Sequence, residues 1–394
     1  MIVNFDQVID RNEYPALKLN KPLLAEHFGN DKALPFWVAD MDFRAPDVVI
    51  DSLRKRVEHG IFGYEYKNDS YFNALNRWYK NRHQWSIDQD HIEFCPGVLN
   101  AVSILINQHS DTGDGVIIQP PVFFEFRMVI RSNNRKIIKN PLKLVNGKYQ
   151  MDFEDLEEKA ANPKTKIMII CNPHNPVGRV WTRAELAQAG EICRQHNVLV
   201  ISDEIHGDIV YKPHHYTPFA SISDELAQIS ATCLSPAKTF NIAGMIDAMT
   251  VIANVQHRER FHDFAHRYQI NKTNVFASAA IEAAYSQGGE WLDELLTYLH
   301  ANINFLQSYF HNNLPQIKLI EPEGTFLVWL DFKELGLDAK ALEKFLTQKA
   351  QLALNSGYWF GREGAGYARM NIACPQSVLQ EAVSRLTNAV HNYL

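Results

Sequence analysis

From about residue 46 to 285 the sequence alternates helix-like segments with short apolar runs rich in β-branched residues. The runs are VIIQ at 116–119, IMIIC at 167–171, VLVIS at 198–202, ISATCL at 229–234 and MTVIA at 249–253. Runs this short, with no polar residue at alternate positions, fit strands buried on both faces of a largely parallel sheet. Between two of them, Thr182-Arg183-Ala184-Glu185 is a capping box that predicts a helix ending near His196. The unit is strand, loop, helix, strand, which is α/β architecture. Pro46 just inside a helix start and Gly60 just past its end frame another helix. After about residue 290 the pattern changes to a long helix, two strands around IKLI and FLVWLDF, and two more helices. The expected organisation is a large α/β domain over 46–288 and a smaller α+β domain over 289–394, joined by an N-terminal segment, 1–45.

A chain of 394 residues exceeds one core of ordinary size, which favours this two-part reading. With 46% hydrophobic and 21% charged residues the composition is globular, and no apolar run is long enough to cross a bilayer. A net charge of −6 without a basic block gives no electrostatic footprint for nucleic acid or an anionic membrane. The N-terminal stretch MIVNFDQVIDRNEYPALK has early acidic residues and no h-region, so a cytoplasmic location is expected. The five cysteines are scattered in apolar runs with no C-x-x-C pair, and read as buried free thiols. A small molecule is the expected partner.

In a doubly wound sheet, ligands bind at the carboxyl ends of the strands, so the residues after each apolar run carry the most information. After IMIIC, the loop NPHNPVGRVW presents Asn175 as a hydrogen-bond donor. After VLVIS, Asp203 and Glu204 sit at the end of a buried strand, where a carboxylate is costly unless paired. After ISATCL comes SPAKTFNIAG, with Ser235, Lys238 and Gly244. Desolvation depresses a lysine pKa, and that depression makes a good Schiff-base nucleophile. Upstream, FCPGVLNAVSILIN runs from Pro-Gly into an amphipathic helix, which would leave the N–H groups of Gly97, Val98 and Leu99 free for an anion. PPVFFEF offers the ring faces of Phe123 and Phe124. A phosphate nest, a stacking ring, a carboxylate for a ring nitrogen, an amide for a ring oxygen and an imine-forming amine converge on pyridoxal 5′-phosphate (PLP).

In order and spacing these motifs resemble the fold-type I PLP enzymes of the class I/II aminotransferase superfamily. Within it, WVADMDF, FGYEY, NPHNPVGRVW, DEIH, SPAKTFNIAG and RMNIACP resemble the MalY/PatB-type cysteine and cystathionine β-lyases. The resemblance runs from about residue 30 to the C-terminus. It implies that Lys238 bonds the cofactor and then serves as base at the substrate Cα, and that Asp203 pairs with the pyridine nitrogen. It also implies that Asn175, with His206 nearby, contacts the ring oxygen. Ser235 and the amides of Gly97 to Leu99 would hold the phosphate, with Tyr64 reaching it from the other subunit of a homodimer. Arg369 would clamp the substrate carboxylate bidentately in a pocket shared with Ala39 and Asn355. Three departures stand out: Phe123 where many of these lyases have tyrosine, Leu99-Asn100 for the usual Val-Pro, and Met245-Ile246 for Leu-Lys.

The activity implied is β-elimination from a sulfur amino acid such as cystathionine or cysteine, releasing a thiol, pyruvate and ammonia. A class I/II aminotransferase would use the same Lys238. A non-catalytic PLP-binding or regulatory protein is a further reading. So is an iron site, because His206-Gly207-Asp208 with His214 or His215 imitates an H-x-D…H triad.

Overall fold

The computed structural model describes residues 3–393. Seven strands form the main sheet: β1 (Ile92–Cys95), β2 (Gly115–Ile118), β3 (Lys136–Lys139), β4 (Thr165–Cys171), β5 (Leu199–Asp203), β6 (Ser230–Leu234) and β7 (Ala248–Val251). Their spatial order is β1-β7-β6-β5-β4-β2-β3, and β7 alone runs antiparallel to its neighbours. All five apolar runs of the sequence are strands. The sequence reading passed over β1 and β3, which lie at the two edges and are only partly buried.

Both faces of the sheet are covered, as uninterrupted apolar strands require. Ile167, Ile169 and Cys171 of β4 pack on one side with Val102, Leu105 and Ile106 of the helix α2 (Val98–His109). Met168 and Ile170 face the other side, against Leu186 and Ala189 of α4 (Arg183–Gln195). The capping box forms as expected: Thr182 accepts from the Glu185 N–H, and the Glu185 side chain returns the bond to the Thr182 N–H. The first framed helix, α1 (Asp47–His59), has Pro46 as its N-cap, one position earlier than expected, and ends at Gly60 with φ of 76°. Between α2 and α4 lies the short α3 (Glu125–Ser132).

A second, antiparallel sheet follows the 25-residue helix α5 (Gly289–Asn313). It orders β8 (Lys318–Ile320), β9 (Leu327–Asp331), β11 (Tyr367–Asn371) and β10 (Asn355–Ser356). The C-terminal helix α6 (Gln376–Tyr393) packs on α5. Near the N-terminus, Leu34–Pro35 pairs in parallel with Leu352–Ala353. The largest apolar cluster runs through both sheets, from Tyr71 and Phe240 to Leu327 and Leu386, so no solvent layer separates them. Cys95, Cys171, Cys193, Cys233 and Cys374 are all buried free thiols. Among the described residues no helix is long and apolar enough to cross a membrane.

Candidate active site

A cavity of about 410 Å³ opens at the carboxyl ends of β4, β5 and β6. Ala39, Gly97, Val98, Leu99, Phe123, Asn175, Asp203, His206, Ser235 and Lys238 of the expected set line it, and three expected residues do not: Arg369, Asn355 and Tyr64.

Lys238 follows β6 in a turn, and its Nζ donates to the Ala39 carbonyl at 2.6 Å. Burial lowers its pKa, as does the charge of Arg369, while Asp40, Glu125 and Asp203 pull the other way. The turn is anchored from below. Thr239 donates to Asp208 at 2.8 Å, and Asp208 also accepts from Trp78 (2.8 Å) and His83 (2.7 Å). Those bonds occupy the aspartate of the H-x-D pattern. Among the described residues no three His, Cys, Asp or Glu side chains come together as a metal site.

Asp203 is the last residue of β5, and burial raises its pKa to about 6, against the Ile205 N–H (3.1 Å) and the Lys238 charge. A single backbone donor leaves most of its acceptor capacity free. Its neighbour Glu204 points elsewhere and is fully engaged by Ser202 (2.7 Å), the Phe219 N–H (2.8 Å) and Tyr216. The adjacent carboxylates of the DEIH motif therefore divide into a cavity group and a core group. His206 is buried with Nδ1 unpartnered among the described residues, and burial lowers its pKa to about 3, so the imidazole is neutral.

The anion nest is smaller than the sequence reading expected. The Gly97 N–H donates to the Cys95 carbonyl at 2.8 Å, closing the turn into α2. Only Val98 and Leu99 of the expected trio keep free amides at this N-terminus. Gly97 has φ of 91°, a conformation open to glycine, and apart from its chain neighbours no described residue lies within 4 Å of where a Cβ would stand. Ser235 donates to the Asp247 carbonyl at 2.8 Å and accepts from the Ala237 N–H at 3.3 Å, so an anion here must draw the hydroxyl proton from Asp247. Asp247 in turn ion-pairs at 3.0 Å with Lys67, which the sequence reading did not single out. Ile246 lines the cavity at φ of 48°, a strained conformation for a β-branched residue.

Arg369, on β11, lies behind the cavity wall and is nearly fully saturated. Its Nε and Nη2 donate to Asn355 Oδ1 (3.1 and 2.7 Å), Nη2 also to the Trp37 carbonyl (2.8 Å), and Nη1 to Asn175 Oδ1 (3.0 Å). Four of its five N–H groups are thus engaged. The expected two-pronged grip on a carboxylate is not preformed. One Nη1–H and the Asn355 amide NH₂ remain. The Nη1 bond is to Asn175 Oδ1, and among the described residues that residue's NH₂ has no acceptor. Burial lowers the Arg369 pKa to about 9.

Two asparagines explain why the motifs occur together. Asn241, in the Lys238 turn, accepts from Met41 N–H (3.0 Å) and donates to the Met41 and Phe43 carbonyls (3.0 and 2.7 Å). Asn371, on β11, donates to the Val38 and Asp40 carbonyls (2.7 and 2.6 Å). WVADMDF is therefore a strap pinned between the lysine turn and the arginine strand. Tyr64 is away from this chain's cavity, 98% exposed on the segment between α1 and the helix Asp69–His83. Glu125, at the start of α3, lines the cavity and was missed in sequence.

Phe123 supplies a ring face, Asp203 a carboxylate with spare acceptors, Val98 and Leu99 free amides, and His206 an orphaned nitrogen. A phosphorylated aromatic aldehyde of PLP size suits this donor set and volume. Fold and site together define the architecture of fold-type I PLP-dependent enzymes. The chain belongs to the aminotransferase class I and II family, which matches residues 39–386. It is 42% identical to the cystathionine β-lyase PatB of Bacillus subtilis strain 168, over 98% of this chain and 100% of that protein. Identity to the protein MalY of Escherichia coli K12 is 35%, covering 98% of each chain. Cystalysin from Treponema denticola, whose crystal structure contains a pyridoxal 5′-phosphate cofactor, superposes with a TM-score of 0.96 at 36% identity over the whole of both chains.

Proposed function

We propose that this chain is a PLP-dependent carbon–sulfur lyase that acts on cystathionine- or cysteine-type amino acids. The observation that carries the reading is Lys238 at the cavity, its pKa lowered by burial, with Asp203 on the same wall. The names of the similar full-length proteins, cystathionine β-lyase among them, support it over an aminotransferase. When bound, the cofactor supplies a sink for the electron pair left at the substrate Cα. Lys238 leaves the Ala39 carbonyl, gives up its ammonium proton and takes the Cα proton. Asp203 would stay ionised to pair with the ring nitrogen, Asn175 would donate to the ring oxygen, and Val98, Leu99 and Ser235 would hold the phosphate. Arg369 and Asn355 receive the α-carboxylate. Breaking Cα–H and Cβ–S and adding one water yields thiol, pyruvate and ammonia in equal amounts.

Incubation of the holoenzyme with L-cystathionine tests the reading. Equal release of pyruvate and thiol supports it. Amino transfer to an added keto acid without thiol release replaces it with the aminotransferase reading. We assign residues 46–288 to the cofactor-binding domain and 289–394, with 1–45, to the smaller one; residues 1, 2 and 394 lie outside the described residues. The protein acts in the cytoplasm, which fractionation checks.

The active form is a homodimer in which Tyr64 serves the phosphate of the other subunit. The exposed Ile61, Phe62, Tyr64 and Tyr66 of that segment support this assembly. Co-refolding Tyr64→Ala with Lys238→Ala should restore about a quarter of wild-type activity, since about half the dimers are mixed and each has one intact site. No recovery, with mixed dimers present, returns Tyr64 to its own chain or removes it from the site.

A further inference from the structure

Three carboxylates line the cavity: Asp203, Asp247 and Glu125. Asp203 has a function in the proposed chemistry and Asp247 is paired with Lys67. Glu125 is different. It is half-buried at the first position of α3, and among the described residues it has neither a hydrogen bond nor an ion pair. The cations that act on it are Lys238 and Arg369, and burial raises its pKa against both.

Those two cations are the ones that the reaction neutralises. Lys238 must shed its proton to act as nucleophile and base, and the charge of Arg369 is matched by the substrate α-carboxylate. A half-buried carboxylate that loses both opposing charges either takes up a proton or finds a new cation. The incoming substrate is the one mobile source of such a cation. Building on the lyase reading, we propose that Glu125 selects substrates whose departing thiol carries a positively charged nitrogen, the second ammonium of a diamino thioether being the simplest case. The bond that breaks is still Cβ–S, and the ammonium leaves unchanged on the thiol.

The alternative is that Glu125 only complements the positive end of α3. That makes it a stability residue and gives no preference among leaving groups. The two are separated by S-(2-aminoethyl)-L-cysteine and its uncharged counterpart S-propyl-L-cysteine, compared by kcat/KM for pyruvate release in wild type and in Glu125→Gln. A hydrogen bond between charged groups predicts that wild type favours the aminoethyl substrate about tenfold or more, and that the ratio falls close to one in the variant. A ratio near one in wild type, or one that E125Q leaves in place, overturns the inference. If E125Q folds poorly, Glu125→Ala reports the same ratio.

Binding without turnover gives an independent readout. L-lysine and L-2-aminoheptanoate are the carbon counterparts of the same pair and cannot eliminate a thiol. Titrated through the visible absorbance of the holoenzyme, lysine should bind about tenfold tighter to wild type and lose that advantage in E125Q. If neither thioether releases pyruvate while lysine keeps its Glu125-dependent advantage, the lyase reading fails and charge selection stands. If pyruvate is released with no charge preference, the reverse holds.

Discussion

The two walls of the cavity are built on opposite rules. On the wall made by the carboxyl ends of the main sheet, polar groups are short of partners: Asp203 holds one backbone N–H, Lys238 one carbonyl, and His206 Nδ1 none. On the wall backed by β11, Arg369 has four of its five N–H groups engaged and Asn371 donates to two carbonyls. Buried polar groups are costly when unpaired, so the first wall keeps its shortfall for a ligand while the second is already satisfied. One wall is left open to a ligand and the other is braced within the fold.

Removing a group from the unsatisfied wall should cost mainly activity. Lys238→Ala loses both the covalent anchor and the Cα base, and pyruvate release should fall by at least about a thousandfold. Near-normal elimination by this variant would remove Lys238 from the chemistry.

Asp203→Asn should lower kcat by about 10²–10³, because a neutral amide cannot hold the ring nitrogen protonated. The same change should stabilise the apoprotein. Burial raises the Asp203 pKa from 3.8 to about 6, so the folded apoprotein holds this proton more tightly than the unfolded chain. The ionisation penalty is absent below pH 3.8, grows between there and about pH 6, and is complete above. Urea unfolding of the apo forms should show D203N ahead by about 2–3 kcal/mol at pH 8 and by close to nothing at pH 4. A gain that is equal at both pH values contradicts the assigned cause.

On the satisfied wall the effects should be smaller. Arg369→Lys should weaken substrate binding by about 1.5–3 kcal/mol, since a point charge cannot serve Asn175, Asn355, Trp37 and a carboxylate together. Equal losses for ligands without an α-carboxylate would leave Arg369 a purely structural part. Asn371→Ala strands the Val38 and Asp40 carbonyls and should cost about 1–3 kcal/mol of stability, seen as a lower urea midpoint. Its effect on kcat should be less than that of D203N. A larger loss of activity than of stability would mean that the strap reaches the chemistry directly.

The same contrast marks what could be read in advance. The unsatisfied wall follows apolar runs that announce their strands, so Asn175, Asp203, Ser235 and Lys238 were found by asking what comes next. β11 escaped that search because its sequence, YARMN, contains an arginine and an asparagine, yet all five residues are buried. Its polar residues are soluble in the core only because the strap and Asn355 supply their partners, and those lie 14 to 333 positions away along the chain. Only the RMNIACP resemblance pointed to Arg369. Gly97 shows the opposite error: the helix start was right, but a local turn to Cys95 had consumed one of the three amides.

By itself, the sequence determined the α/β class, the order of the buried strands, the capped helix after Thr182 and most of the groups that line the cavity. These follow from interactions within a few residues, where periodicity and turn chemistry suffice. Tertiary structure alone decided which of two adjacent carboxylates enters the cavity, that Arg369 arrives with most of its donors engaged, and that Glu125 lines the cavity without a partner among the described residues. Each depends on hydrogen bonds and charges brought together across long stretches of chain, and neighbouring residues carry no trace of them.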